Sequence, residues 1–558
     1  MEKPWFESYE KGVPRAISYP DTTLPKMLFE TARRFPDKPA LVFYGKTITY
    51  RELDHLTNRF ANALIRLGIQ RGDRVAVMLP NSPQYVIAFF AVMKTGAIAV
   101  QTNPLYVERE LEQQLNDADA ETVVALDLFY PRIRNVQAKT PLRRIILTRV
   151  SDYLPPLLRI LYPFKAMRQG EWMRISIKPP LYDFRRLVNQ SDGTQPIVPL
   201  LSEDTALLQY TGGTTGTPKG VMLSHANLVA NVFQCRNWMP SLREGEEVFL
   251  GVIPFFHVYG MTTCLNLSLL IGGCLVLHPR FATEEVLRSI VKYRATLFMG
   301  VQAMYVAINN HPAIDRYNLS SIRICISGAG PLHAEVQDRF EALTGGKLVE
   351  GYGLSEAAPV THCTPINSRR KKGSIGLPFP DTDSKVVDSA QPDRAAPPGR
   401  VGELYVRGPQ VMQGYWKRPE ETGEVLVDGW LRTGDMAMMD EDGYFFIVDR
   451  KKDMIKTKGE NVYPREVEEV LYRHPKVKEA VVVGLPDTFG GERIKAYVVP
   501  KEGESCTEAE IIEFCTGELA RFKIPKSVEF RTELPKTMVG KVLRRVLIEE
   551  ERTKEGGG

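Results

Sequence analysis

Cysteine is scarce in this chain. Its seven cysteines are odd in number and scattered, and no two form a Cys-x-x-Cys pair. That argues against a disulfide framework or a zinc site and suits a reducing cytoplasm. Charge of one sign is also lacking. Lys and Arg number 72 against 67 Asp and Glu, which leaves +5 over 558 residues and gives no mark of a nucleic-acid binder. The first residues, Met-Glu-Lys-Pro-Trp-Phe-Glu-Ser, have no apolar core of signal-peptide type. No internal repeat and no long low-complexity tract occurs. One uncharged run could mislead. Residues 259–278 contain no Asp, Glu, Lys or Arg, and a span of about 20 residues is long enough to cross a bilayer. Thr262, Thr263, Asn266 and Ser268 punctuate the stretch, and Gly272-Gly273 breaks it. It reads as a buried helix, a turn and a buried strand at 274–277.

What is present is the composition of a soluble globular protein, 43% hydrophobic and 25% charged. At 558 residues the chain exceeds the size at which one core stops growing, so more than one domain is expected. Strand-like runs alternate with amphipathic segments. Residues 74–79 precede a helix opened by Ser82-Pro83, and 97–100 follow; 322–326 precede a helix at 333–343. This βαβ texture predicts an α/β fold with a largely parallel, helix-covered sheet. After Asp435 the texture changes. A strand at 444–448 runs into the polar stretch Asp449-Arg-Lys-Lys-Asp453, and an α+β unit follows, with helices at 464–471 and 508–519 and strands at 480–483 and 495–499. The expected division is a large domain over 1–448, a linker at 449–453 and a small domain over 454–558. Residues 553–558 read as a frayed tail.

The most informative segment is Tyr210-Thr-Gly-Gly-Thr-Thr-Gly-Thr-Pro-Lys-Gly220, with four glycines, four threonines and one lysine after the apolar run 206–210. Glycines let backbone N–H groups approach an oxyanion, threonines add hydroxyl donors, and lysine adds a point charge. The chemistry is that of a phosphate loop. It is not a Walker A loop, because Lys219 is followed by Gly220 rather than Ser or Thr. A plain mobile turn is the alternative for such a segment taken alone.

Further segments recur in order: Pro254-Phe-Phe-His257, Ser327-Gly-Ala-Gly330, Gly351-Tyr-Gly-Leu-Ser-Glu356, Gly402-Glu-Leu404, Thr433-Gly-Asp435, Asp449-Arg-Lys-Lys-Asp453, Gly459-Glu-Asn461 and Pro535-Lys-Thr-Met-Val-Gly-Lys541. With the glycine-threonine loop they resemble the acyl-adenylate-forming enzymes, from about residue 21 to the C-terminus. The nearest likeness is to long-chain fatty acid–CoA ligases, through Gly351–Glu356, the following Ala-Ala-Pro-Val-Thr-His362, and Gly408-Pro-Gln-Val-Met-Gln-Gly-Tyr-Trp416.

The resemblance implies ATP and CoA as co-substrates, a fatty acid as substrate, and Mg²⁺. Thr211, Thr214, Thr215 and Lys219 would hold the β- and γ-phosphates. Glu356 would ligate Mg²⁺ while Ser355 touches the α-phosphate. Tyr352, set beside Gly351, would stack on adenine, with Gly328, Ala329 and Gly330 as the opposite wall. Asp435 would accept the ribose hydroxyls and Arg450 would reach the ribose or α-phosphate; a surface charge is the other reading of Arg450. His257 would gate the acyl site, where a lone histidine on an apolar stretch is otherwise a satisfied core residue. The small domain would be a mobile lid turning about Lys452. Lys541, from composition one cation in a basic tail, would bridge carboxylate and α-phosphate during adenylation. Gly459 and Glu460 would then line the pantetheine path. One departure stands out: Gln302 occupies a position where proline is expected in the candidate acyl pocket, 299–304.

Two alternatives accompany this reading. One is an adenylate-forming ligase for a medium-chain, aryl or luciferase-like acid; the other is a non-catalytic adenylate-binding protein. Lys541 and Glu356, both present, speak against the second. Acid identity and oligomeric state stay open, a homo-oligomer included. Residues 143–186 stand apart, with ten basic residues against Asp152, Glu171 and Asp183, and with interleaved leucines, Phe164 and Trp172. Pro155-Pro156 and Pro179-Pro180 prevent one continuous helix. The segment reads either as a solvated insertion or as a peripheral contact with an anionic membrane.

Overall fold

The computed structural model describes the chain apart from residues 1–2, 169–172, 174, 212–217, 389–393, 458–459, 488–490, 538–541 and 557–558. Two compact units emerge. The larger comprises 8–383 and 407–431; the smaller comprises 1–7, 384–406 and 432–558.

The larger unit holds two sheets. One runs in the order Leu377–Pro378, Val360–Cys363, Lys347–Gly353, Ile324–Ser327, Leu297–Gly300, Val248–Gly251, Cys274–Leu277, Pro39–Phe43, Lys46–Thr49. The other runs Gly414–Tyr415, Lys219–Ser224, Thr205–Thr211, Ile98–Gln101, Arg74–Met78, Thr122–Leu126, Arg144–Thr148, Leu181–Asp183. The interior pairings are parallel and the antiparallel ones lie toward the ends. Parallel strands need both faces covered, which is why their sequences are continuous apolar runs. The helix Pro83–Lys94 is buried along its whole length. As expected, Ser82 starts it: the serine hydroxyl accepts a hydrogen bond from the Tyr85 N–H at 3.2 Å.

The charge-free stretch 259–278 folds as buried helical turns, Val258–Gly260, Met261–Asn266 (a π-helical turn) and Leu267–Leu270, then the strand Cys274–Leu277. Among the described residues no helix is long and apolar enough to cross a membrane. All seven cysteines are free.

The smaller unit is built around the antiparallel pair Val477–Pro486 and Glu492–Pro500, with Ser527–Phe530 added in parallel. Alternation along the first strand splits the core in two. Ala480 and Val482 pack with Val467, Val470, Leu471 and Ile511, from helices Pro464–Arg473 and Glu508–Glu518. Val481 and Val483 pack with Tyr497, Leu534 and Leu547. Residues 480–483 thus lie in a strand covered on both faces. The strand Ser527–Phe530 escaped the sequence reading because its residues are only half-buried. The frayed-tail expectation is corrected at Thr553. That residue lies in the helix Arg544–Gly556 and its hydroxyl donates to the Glu549 carbonyl at 2.9 Å. Near the N-terminus, Trp5 is buried against Phe445, with ring centroids 6.1 Å apart.

Candidate functional site

In the nine-stranded sheet, the singled-out residues of the larger unit follow the C-terminal ends of parallel strands, where open α/β sheets place ligands. His257 follows Val248–Gly251, Gln302 follows Leu297–Gly300, and Gly328 to Gly330 follow Ile324–Ser327. Gly351, Tyr352 and Gly353 end the next strand, and Ser355 and Glu356 begin the turn beyond it.

Backbone shape defines this edge. Gly353 pairs with Val360, and a Cβ there would sit 2.1 Å from the Pro359 carbonyl oxygen. No side chain fits, so the glycine is a steric requirement. Ala329 has φ +64°, a left-handed conformation that the two flanking glycines accommodate. The Tyr259 hydroxyl donates toward the Gly300 and Ile326 carbonyls at 3.1 and 2.8 Å, and its ring lies 3.0 Å from where a Gly328 Cβ would be. Tyr352 meets His362 edge-on, with centroids 5.9 Å apart.

Thr211 and Lys219 face each other as the last and first residues of an antiparallel pair. Residues 212–217 between them, including Thr214 and Thr215, lie outside the described residues, as do Gly459 and Lys541. The Lys219 ammonium is paired with Glu421 and lies 5.1 Å from the centre of the Tyr415 ring. The Tyr415 hydroxyl donates to Glu356 Oε1 at 2.8 Å. Burial, then the Glu356 charge, raises the Tyr415 hydroxyl above its ordinary range, so it stays a donor. The Met412 N–H donates to the Glu356 carbonyl at 2.8 Å, and the Trp416 N–H to the Gly220 carbonyl at 2.7 Å. Segment 412–416 thereby links the lysine's strand to the glutamate's turn. Sequence reasoning quoted Tyr415 within a motif without assigning it a role, and it passed over Glu421. The Tyr210 hydroxyl donates to Asp117 Oδ2 at 2.7 Å, which anchors the strand before the loop.

His257 caps the turn Val258–Gly260, its Nδ1 accepting from the Tyr259 N–H at 3.2 Å. Gln302 makes a contact that proline could not. Its Oε1 accepts from the His333 N–H at 2.7 Å, fastening the start of helix Ala334–Thr344.

In the smaller unit, Asp435 and Arg450 are partners across an antiparallel pair, and Arg450 Nε donates to Asp435 Oδ1 at 3.0 Å. Asp435 is buried, and its N–H donates to Thr433 Oγ1 at 3.1 Å. Two residues expected to touch ribose separately are therefore joined to each other. Lys452 is exposed. Its neighbour Lys451 donates to Glu403 at 2.8 Å. Glu460 is exposed, opposite Thr457 in a two-stranded ribbon. Arg544, unremarked in the sequence beyond its charge, forms two 2.8 Å hydrogen bonds to the Glu468 carboxylate and one of 3.2 Å to Asp453, and lies 4.0 Å from Asp449. Desolvation opposes its charge, but the surrounding carboxylates prevail and raise its pKa above the ordinary arginine range.

Known proteins share this architecture. Over 552 residues, 99% of this chain and 98% of the relative, the chain is 48% identical to a long-chain-fatty-acid–CoA ligase of Bacillus subtilis. It is 41% identical to an Escherichia coli O6:H1 enzyme of the same description, across 99% of both chains. The ATP-bound MatB of Rhodopseudomonas palustris superposes with a TM-score of 0.84 at 29% identity, covering 95% of this chain and 99% of that one. Residues 28–416 match the AMP-binding enzyme family and residues 466–541 match the AMP-binding enzyme C-terminal domain, so the chain belongs to the AMP-binding enzymes.

Proposed function

We propose that this chain is an AMP-forming ligase that converts a long-chain fatty acid into its CoA thioester. The carboxylate attacks the α-phosphorus of ATP, giving acyl adenylate and pyrophosphate; the CoA thiol then attacks the acyl carbonyl and AMP leaves. The observation that carries the reading is the linkage of Lys219 through Tyr415 to Glu356, a cation and a carboxylate held on one frame beside the glycine-threonine segment. The two bacterial relatives, described as long-chain-fatty-acid–CoA ligases, support the choice of acid.

Lys219 and the threonines bind the β- and γ-phosphates, and Ser355 donates to the α-phosphate. Catalysis of phosphoryl chemistry is chiefly positioning and charge balance. Among the described residues no group of three His, Cys, Asp or Glu side chains forms a metal cluster. A single carboxylate fits Mg²⁺, which takes most of its ligands from phosphates and water. Glu356, oriented by the Tyr415 hydroxyl, would hold that ion, which when bound neutralises charge developing on the phosphates. Tyr352 stacks on adenine against Gly328, Ala329 and Gly330. Asp435 accepts the ribose hydroxyls while Arg450 orients it. His257 gates the acyl path. Residues 454–558 act as a lid turning about Lys452 within 449–453. Lys541 enters for adenylation; Gly459 and Glu460 replace it for CoA. Seven free thiols suit a cytoplasmic setting.

The deciding experiment supplies acids of graded chain length with ATP and CoA and measures AMP release. Release that depends on CoA and peaks with long chains supports the proposal. A peak with aryl or short acids refutes the choice of acid, and no turnover with any acid refutes the activity. Lys541→Ala should slow adenylate formation by ~10²–10³, the loss typical of one transition-state donor, while sparing thioester formation from supplied acyl adenylate.

A further inference from the structure

The helix Pro156–Arg168 carries its apolar face outward. Half-buried Tyr162 and buried Ala166 line a small cavity together with Leu126, Leu128 and Val150, which marks the inner side. On the outer side Leu157, Ile160, Leu161, Phe164 and Met167 recur at helical spacing, with exposures of 68, 67, 51, 66 and 51%. A surface helix of a soluble domain shows the reverse arrangement. A contiguous apolar face of this kind marks an interaction site.

Charge narrows the choice of partner. The helix contains Arg159, Lys165 and Arg168 and no acidic residue, and Arg159 and Arg168 are exposed. Nearby cations at the start of the basic region are answered within the larger unit, Arg143 and Arg144 by Glu121 and Arg149 by Asp127. A second copy of the chain would bring like charges together. It would also find little area: a helix of this length is about 20 Å long and ~10 Å wide. That offers on the order of 200 Å² against the ~800 Å² per partner of a stable interface. An anionic bilayer satisfies both features, since the leucines, isoleucine and phenylalanine can enter the boundary between headgroups and acyl chains while the Arg168 guanidinium meets headgroup phosphates. The helix is too short to span.

We infer that the outward face of Pro156–Arg168 is a docking surface for an anionic lipid bilayer. The inference does not depend on the acyl-CoA reading, because its test measures binding and not turnover. The full chain is floated with vesicles of phosphatidylcholine alone or mixed with phosphatidylglycerol, at low and high salt. Wild type should bind the mixed vesicles at low salt and largely leave the neutral ones. Arg168→Gln should weaken binding about fivefold, the equivalent of one basic side chain near such a surface. The triple variant Ile160→Asn, Leu161→Asn, Phe164→Asn should lose binding at every salt concentration while melting as wild type does. If the triple variant melts early, Arg168→Gln decides. Three outcomes overturn the inference: wild type that ignores mixed vesicles at low salt, variants that bind as wild type does, or a wild-type dimer that the triple variant converts to monomer.

Discussion

Two regions proposed to act on the nucleotide are held by opposite means. Around Gly353 the larger unit relies on shape: a strand pair too close for any Cβ, a left-handed alanine between glycines, and the Tyr259 hydroxyl on two backbone carbonyls. Around Arg450 and Arg544 the smaller unit relies on charge: Asp435 with Arg450, Lys451 with Glu403, and Arg544 with Glu468 and Asp453. Shape tolerates changes of salt but no added atom. Ion pairs on a largely buried carboxylate tolerate small shifts of position but no missing partner. A pocket that must keep one form suits the first means. A lid proposed to turn between two reactions suits the second, because the pair inside residues 454–558, Arg544 with Glu468, can travel with it.

The largest effect should come from Arg544→Ala. Glu468 would keep its burial and lose its cation, a change that costs about 3–5 kcal/mol. Hydrogen exchange should accelerate in Pro464–Arg473 and Val477–Pro486 while the nine-stranded sheet stays protected. Equal loosening of both units would break the comparison.

Gly353→Ala tests the other side. The new Cβ meets the Pro359 oxygen, and displacement of the turn by ~1 Å costs roughly 10² in rate. Acid-dependent ATP–pyrophosphate exchange should fall by that amount and should not recover with salt or pH. Exchange at the wild-type rate would show that the strand pair spreads at no cost.

Asp435→Ala should weaken ATP binding by about 1.5–3 kcal/mol, the range for hydrogen bonds to a charged group. Direct calorimetry checks it; unchanged affinity in a folded variant would remove the ribose role.

Acid should separate the units most gently. Burial lowers the pKa of His225 to about 4, of His278 to about 4 and of His362 to about 3, all in the larger unit. Their folded values lie below the unfolded value of about 6.5. Their neutral forms therefore favour folding above that pH, and the stability is lost as pH falls toward the folded values. In the smaller unit, desolvation of Glu551 opposes its charge, but Lys495 and Lys554 prevail and lower its pKa to about 2. Its contribution is present above about 4.3 and lost only as pH falls toward the folded value. Hydrogen exchange between pH 6 and 4.5 should accelerate first in the helix His225–Trp238 and the strand Val360–Cys363. Earlier loosening of Arg544–Gly556 would reverse the assignment.

The sequence by itself determined the parts that depend on local pattern. Continuous apolar runs alternating with amphipathic helices specify parallel strands covered on both faces. Ser82 before Pro83 specifies a helix start and caps as expected, and Ser224 caps the helix His225–Trp238 in the same way. The glycine-flanked Tyr352 and the Thr-Gly-Asp turn at 433–435 are local too, so the candidate residues could be named in order. Only the tertiary structure decided which side chains meet. Tyr415 reaches Glu356 across 59 positions and Arg544 reaches Glu468 across 76. No periodicity records such contacts, because they depend on where separate segments return in space. The same holds for the outward face of Pro156–Arg168. Its helical spacing is written in the sequence, but which side meets the protein follows from the packing of Tyr162 and Ala166, since an apolar stripe is equally compatible with a core or with a lipid surface.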